Sequence, residues 1–361
     1  MSDRAATVGR KKLWRYLSFA ASLLIVAGIF VFAIPKFADY KDVWVSIKTL
    51  SPVDIGVLVV VMIFNLFTYW FANMAALPGL RLGQAAVATQ TTTSVANTLP
   101  GGGAIAVGLT YTILRSWGFS GTDVALYVGV SGIWNIFIKL ALPVLSVLFL
   151  VLAGSKSAAF LSAALVGFAV LAGAVVLLAA VFKSEALARR VGNGLGRVVS
   201  AAKRLFRKPP ITDAGHRAVK FRTDSIKLVE RRWLPLTGAT VLSHLALFLV
   251  LLLSLRKLGV SASEVSTAEA FAVFAFGRLI SALPITPGGL GMIELGYIGG
   301  MVAAGGAKPD VVAAVLLFRT LTFGVQIPLG GFTYLIWRGN TRWRREAPDG
   351  SEPQASVVSA S

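Results

Sequence analysis

The sequence predicts an all-α, polytopic membrane protein with about six full transmembrane helices and two Pro/Gly-broken helix pairs that re-enter the membrane. Three observations lead there. First, 56% of the 361 residues are hydrophobic and the mean hydropathy is +0.75, above the roughly 45–50% apolar content of soluble chains. Second, apolar runs of the length that spans a bilayer, about 20 residues, recur at 14–34, 53–73, 123–153, 158–182, 233–257 and 309–337. Third, two further apolar stretches, 84–117 and 268–305, are each cut by a Pro-Gly cluster.

The first run is too long for a secretory leader. Leu13 to Ile34 exceeds an h-region of about 7–15 residues, and no A-x-A-like cleavage site follows it. The two interrupted stretches carry "NTLPGGGAI" at 97–105 and "SALPITPGGLG" at 281–291. Proline removes a backbone donor and disfavours helix at the preceding residue, and glycine weakens a helix. Each stretch therefore reads as two short helices joined by an irregular turn.

Charge sets the topology. The net charge of +19 comes from basic residues beside apolar runs: Arg4, Arg10, Lys11, Lys12 and Arg15; the 183–232 loop; and Arg338, Arg342, Arg344 and Arg345. Such clusters face anionic lipid head groups and mark the cytoplasmic side, which speaks against a nucleic-acid partner. The loop holds 14 Lys+Arg against 4 Asp+Glu. All three basic segments lie on one side when each broken stretch enters and leaves by the same face. That predicts a plasma-membrane protein with cytoplasmic N- and C-termini, leaving Lys36, Lys41, Lys48, Lys156, Arg256 and Lys257 outside. Within the loop, 184–206 has a basic face at helical spacing and reads as an interfacial helix, and 216–230 as a second short helix.

The broken stretches belong to a repeat. Leu99-Pro100-Gly101-Gly102 is followed by Asp123-Val124-Ala125, and Leu283-Pro284 with Gly288-Gly289 by Asp310-Val311-Val312-Ala313; a long helix with a late proline, Pro143 or Pro328, then begins. Repeat 1 covers about 52–153 and repeat 2 about 233–337, within an integral membrane domain 1–340 and ahead of a disordered cytoplasmic tail, 341–361. The single helix 158–182 between them inverts the second repeat. Inverted repeats with broken helices point to a transporter whose site lies near the midplane, where irregular backbone lines a wet cavity.

Ionisable residues fall inside these stretches: Lys139, Arg278, Glu294, Arg319 and, nearer an end, Arg115. Each costs at least about 2.5–3.5 kcal/mol at a helix centre, so each needs a partner or a cavity. Arg278, Glu294 and Arg319 together suit a phosphate, with Glu294 orienting a guanidinium, and a half-helix starting near Gly289 adds backbone amides. The same residues also admit a structural reading: a buried Glu294–Arg ion pair, a snorkelling Arg278, and glycines that allow close helix packing. His244 reads as a packed core residue, and Trp337 and Trp343 as interface anchors. Gly101-Gly102-Gly103 lacks the following Lys-Ser/Thr of a nucleotide loop. Cysteine is absent, excluding disulfides and thiol nucleophiles, and His216 and His244 are too few for a His-rich metal cluster. No cofactor is implied.

"LPITPGGLGMIELG" with "LLFRTLTFGVQIPLGG", and "NTLPGGGAIAVGLTYTILRSWGFS", resemble the membrane domain of the lysylphosphatidylglycerol synthase family over roughly 14–340. On that resemblance Pro284, Pro287, Gly288, Gly289, Gly291, Glu294 and Arg319, and in the first half Asn97, Pro100, Gly101, Gly102 and Arg115, match the family pattern. Full synthases add a soluble aminoacyl-transferase domain, for which the 20-odd-residue tail leaves no room. The resemblance then implies lipid movement between leaflets rather than an enzyme. The cargo would be an anionic phospholipid or a polyprenyl-phosphate-linked glycolipid. The alternative is a non-transporting partner that presents lipid to a separate glycosyl- or aminoacyl-transferase. A membrane-embedded transferase using Glu294 or Asp123 as base is weakest, since no paired-carboxylate motif appears.

Overall fold

The computed structural model describes residue 31 and residues 39–99, 101–152, 154, 158–205, 209–210, 212–281 and 286–343, with the side chains of 158–167 and of a few other positions, Pro287 among them, left out. The expected span at 14–34 and positions Pro100, Pro284 and 344–361 lie outside what can be described. Among the described residues all regular structure is helical. The helices are α1 (Tyr40–Lys48), α2 (Pro52–Ala76), α3 (Leu82–Thr98), α4 (Gly102–Ser116), α5 (Gly121–Leu152), α6 (Ala158–Lys183), α7 (Glu185–Leu205), α8 (Ala214–Lys257), α9 (Thr267–Ile280), α10 (Met292–Ala303), α11 (Lys308–Arg319) and α12 (Gln326–Gly339).

Four elements are long and apolar enough to cross a membrane: α2, α5, α8, and α11 with α12 as one rod from Lys308 to Gly339. The bent pair α6–α7 adds a fifth candidate, turning by 111° at Ser184. The bend follows from composition. Helix α6 is apolar throughout, whereas α7 carries Arg189, Arg190, Arg197 and Arg204 on one side, so only its other side gains from lipid.

Three elements differ from the sequence expectation. Residues 40–48 form a short amphipathic helix whose Ser46 Oγ donates to Asp310 Oδ1 at 2.8 Å, seating α1 on the start of α11. The expected helices 216–230 and 233–257 are one 44-residue helix, α8. Pro235 sits inside it, and the helix continues because packing on α2, α5 and α7 offsets the one hydrogen bond that proline removes. The expected helix 309–337 is interrupted: Thr320–Gly324 form a π turn in which Val325 N bonds Thr320 O at 2.9 Å. Pro328 brings no N–H for the Gly324 carbonyl, so the ladder loosens there.

Helices α2 and α8 form the spine and run antiparallel. Lys257 Nζ lies 2.6 Å from Asp54 Oδ1 at one end, and Asn65 Nδ2 donates to Ser243 O at 3.1 Å in the middle. At the other end Met74, Gly79 and Arg232 line one groove. The two broken pairs flank this spine and open at its opposite ends. Both ends of α3–α4 gather with Trp337 and Trp343 around Leu80, Ala85, Leu114 and Trp117, beside the Ala76 end of α2. The start of α9 and the end of α10 meet at the other end, where Gly305 abuts Glu264 O and Gly306 abuts Val265 and Val311. Helices of 12–17 residues span about 18–26 Å, less than a hydrocarbon core of about 30 Å. None of these four helices is among the elements long and apolar enough to cross by itself.

Candidate functional site

Where the pairs reach deepest, their turns touch. The second turn runs through three left-handed glycines, Gly288 (φ 58°), Gly289 (φ 69°) and Gly291 (φ 84°). A side chain at Gly288 would stand 3.0 Å from Asn97 Oδ1, at the end of α3, and would collide with the Phe323 ring. Glycine is needed there for the backbone sign and for the close approach together.

Glu294 fastens this turn. Its Oε2 accepts the Gly291 amide at 2.6 Å, closing the first turn of α10, and its Oε1 accepts Arg319 Nε at 2.6 Å. Arg319 Nη2 then donates to Gly288 O at 3.3 Å, and its guanidinium lies 4.6 Å from the centre of the Phe323 ring. The Glu294 side chain is 1% exposed and that of Arg319 is 14% exposed. A buried pair of this kind is costly to desolvate and strongly destabilising to break from one side. Its geometry explains the π turn: the extra residue per turn after Arg319 carries Phe323 over the guanidinium.

The opposing wall is α3 against α12. Thr91 and Thr333 hydroxyls lie 3.0 Å apart, Ser94 Oγ donates to Ile327 O at 3.0 Å, and a Cβ at Gly330 would stand 2.5 Å from Gln90 O. The polar run at 89–98 thus divides: Thr91 and Ser94 join the helices, while Gln90, 1% exposed, keeps Oε1 without a hydrogen-bond partner among the described residues.

Of the sequence-predicted residues, the fold brings together Asn97, Gly288, Gly289, Glu294 and Arg319, with the Pro287 backbone in the same turn. Gly101 (φ 64°) and Gly102 form the first turn, where a Cβ on Gly102 would lie 2.5 Å from Val95 O. Arg115 is elsewhere: its Nη1 donates to Phe119 O at 2.9 Å, closing the far end of α4. Arg278 also stands apart from the Arg319–Glu294 pair in hydrogen bonding; its Nε is buried and unpartnered, and it lies within electrostatic reach of Lys139 and His244. Sequence reasoning missed Phe323. Pro328 beside Gly324 was the available signal for it.

Residues 19–330 match the family model for the lysylphosphatidylglycerol synthase TM region. The chain belongs to that family. The match runs through both broken pairs and the Glu294–Arg319 pair, and of the site residues named above only Thr333 lies past its end. Comparison with curated proteins gives no match.

Proposed function

We propose that this membrane region carries a lipid with an anionic head group from one leaflet to the other, the head group passing between the two broken pairs while the acyl chains stay in the bilayer. The observation that carries this reading is the meeting of Asn97 with Gly288 at the tips of two helix pairs that open at opposite ends of the bundle. Reciprocal packing supports an inverted repeat: α3 of the first unit packs on α12 of the second, and α9 of the second packs on α5 of the first. The first helices of the two units, α2 and α8, run antiparallel. Transporters with such repeats bind cargo near the midplane.

In this reading Arg278 and Arg319 face the phosphate and Glu294 keeps Arg319 oriented. An apolar groove of about 550 Å³ between α2 and α8, with Phe71, Leu80 and Leu242 in its wall and Arg232 at its margin, suits an acyl chain whose head group faces the interface. The basic α7, the Arg-rich start of α8, Arg338 and Arg342 support a cytoplasmic placement for that end and for the C-terminus.

The test is a reconstituted vesicle assay with fluorescent phosphatidylglycerol and, in parallel, fluorescent phosphatidic acid, in which dithionite bleaches only the outer leaflet. Wild-type protein should raise the bleached fraction well above the protein-free half, and Arg319→Gln should abolish that gain while still inserting. No gain with wild-type protein, together with copurification of a separate transferase, would replace translocation by lipid presentation.

A further inference from the structure

Three core-facing stripes converge on one cationic spot beside the turns. On α9 the stripe is Phe271, Phe274 and Arg278; on α8 it is Phe248 and, one turn earlier, His244; on α5 it is Leu142, Lys139 and Asn135, at i, i+3 and i+4 spacings. Ring contacts fix the register: Phe248 lies 5.0 Å from Phe271 and 5.4 Å from Phe274 between ring centres, and Phe149 lies 5.7 Å from Phe271. Leu142 joins that same core. Helices α5 and α8 pack side by side, with Trp134 Nε1 donating to Thr237 Oγ1 at 3.0 Å. One to two turns further along both, Lys139 and His244 come within electrostatic reach of each other and of Arg278.

What they hold there is incomplete. His244 is fully buried, its Nδ1 bonds Thr240 O at 3.0 Å, and its Nε2 has no partner. Arg278 Nε and Asn135 Oδ1 are buried and unpartnered as well. Among the described residues neither Lys139 nor Arg278 has an ion-pair partner. The carboxylate within reach through Tyr297 is Glu294, already held by Arg319 and the Gly291 amide. Among the described residues the interior therefore carries three basic side chains, Lys139, Arg278 and Arg319, against one carboxylate, an excess of two basic groups. Buried charge without compensation is strongly unfavourable, and a ligand of matching charge relieves it.

We propose that Lys139, Arg278 and His244, with Asn135, form a site for a doubly charged phosphate group, a monoester or pyrophosphate, on the lipid that the translocation reading invokes. Arg278 offers a planar set of donors, Lys139 a point charge, and the Asn135 amide, turned to present its nitrogen, a further donor; His244 Nε2, whose partner nitrogen donates to Thr240 O, donates to the phosphate only as the imidazolium. A singly charged phosphodiester such as phosphatidylglycerol leaves one positive charge unmatched.

The test uses delipidated full-length protein in detergent, titrated with dioleoyl phosphatidic acid, dioleoyl phosphatidylglycerol, dioleoylglycerol and inorganic pyrophosphate, and read by native mass spectrometry and melting temperature. Wild type should bind phosphatidic acid about tenfold or more above phosphatidylglycerol, and Lys139→Gln/Arg278→Gln should lose the difference, with Lys139→Arg retaining it. The lipid-free double variant should melt no lower than wild type, because it sheds uncompensated charge. Equal binding of the two phospholipids, an unchanged preference in the double variant, or a variant that melts well below wild type without lipid would each overturn the site. Pyrophosphate stabilising as strongly as phosphatidic acid would make it a soluble-anion site and overturn the lipid assignment. Vesicle translocation is scored separately. Inactive wild type with an intact, Lys139/Arg278-dependent preference sinks translocation alone, and active wild type with an indifferent double variant sinks the phosphate site alone.

Discussion

Asn97 Oδ1 stands 3.0 Å from the point where a Cβ on Gly288 would be, so the tips of the two broken helix pairs are in contact through a missing side chain. Gly288→Ala adds a left-handed penalty of about 1–2 kcal/mol to a collision with Phe323. The variant should melt lower than wild type and lose translocation. Gly103→Ala is the matched control: nothing lies within 4 Å of its Cβ, and alanine in an exposed helix should stabilise by about 0.5–1 kcal/mol. Equal melting curves for the two variants would contradict the close approach.

The Arg319–Glu294 pair predicts a non-additive cycle. Glu294→Gln leaves a guanidinium buried without its carboxylate and also weakens the clasp on Gly291, so it should cost about 3–5 kcal/mol. Arg319→Gln should cost a similar amount. The double Gln variant should recover part of this loss in denaturant or thermal unfolding without recovering translocation. Simple addition of the two losses would mean the side chains act independently.

The α3–α12 seam can be locked because the chain carries no cysteine of its own. Thr91 and Thr333, with hydroxyls 3.0 Å apart, should form a disulfide as Thr91→Cys/Thr333→Cys under mild oxidant, visible as a mobility shift on a non-reducing gel. If the two units move past each other during transport, the oxidised form is inactive and reductant restores it. Gly330→Ala, whose Cβ would press on Ser94 and stand 2.5 Å from Gln90 O, should reduce the cross-linking yield, whereas Gly331→Ala should not.

At the other end of the bundle, Glu264 closes the 258–266 loop. The Ser261 amide bonds its carboxylate at 2.8 Å and the Ser261 hydroxyl does so as well, with Arg256 nearby; together these hold Glu264 below its ordinary range. The stabilisation is therefore present above the ordinary Glu range and is lost as pH falls through the lowered native value. Amide protection over 258–266, corrected for the intrinsic pH dependence of exchange, should fall on acidification across that window. Glu264→Gln should exchange faster than wild type at neutral pH and match it at acid pH.

How much of this was legible depends on how local the cause is. Pro and Gly act on their own backbone, so the breaks near 97–105 and 281–291 were readable, as was the amphipathic 185–205 helix from its charge spacing. The fusion of 216–230 with 233–257 was not, because Pro235 is locally a breaker and the packing that overrides it comes from distant helices. Glu294 and Arg319 were both visible, and their pairing was one of two readings; choosing it required knowing that Arg319 also reaches Gly288 O while the π turn brings Phe323 over its guanidinium. Lys139 and His244 were each visible singly. Only the register of three helices brings them beside Arg278.

The continuity of α8 has a mechanical consequence. Forty-four residues make a rod of about 66 Å, more than twice the thickness of a hydrocarbon layer of about 30 Å. One end is grasped by α7, and Arg222 near it donates to the Val181 and Phe182 carbonyls that finish α6. The far portion carries His244. Pro235 lies between, where a missing hydrogen bond softens the rod into a fulcrum. Under the proposed translocation, that softened point lets the lipid-facing basic end of α8 and its His244 end tilt by different amounts.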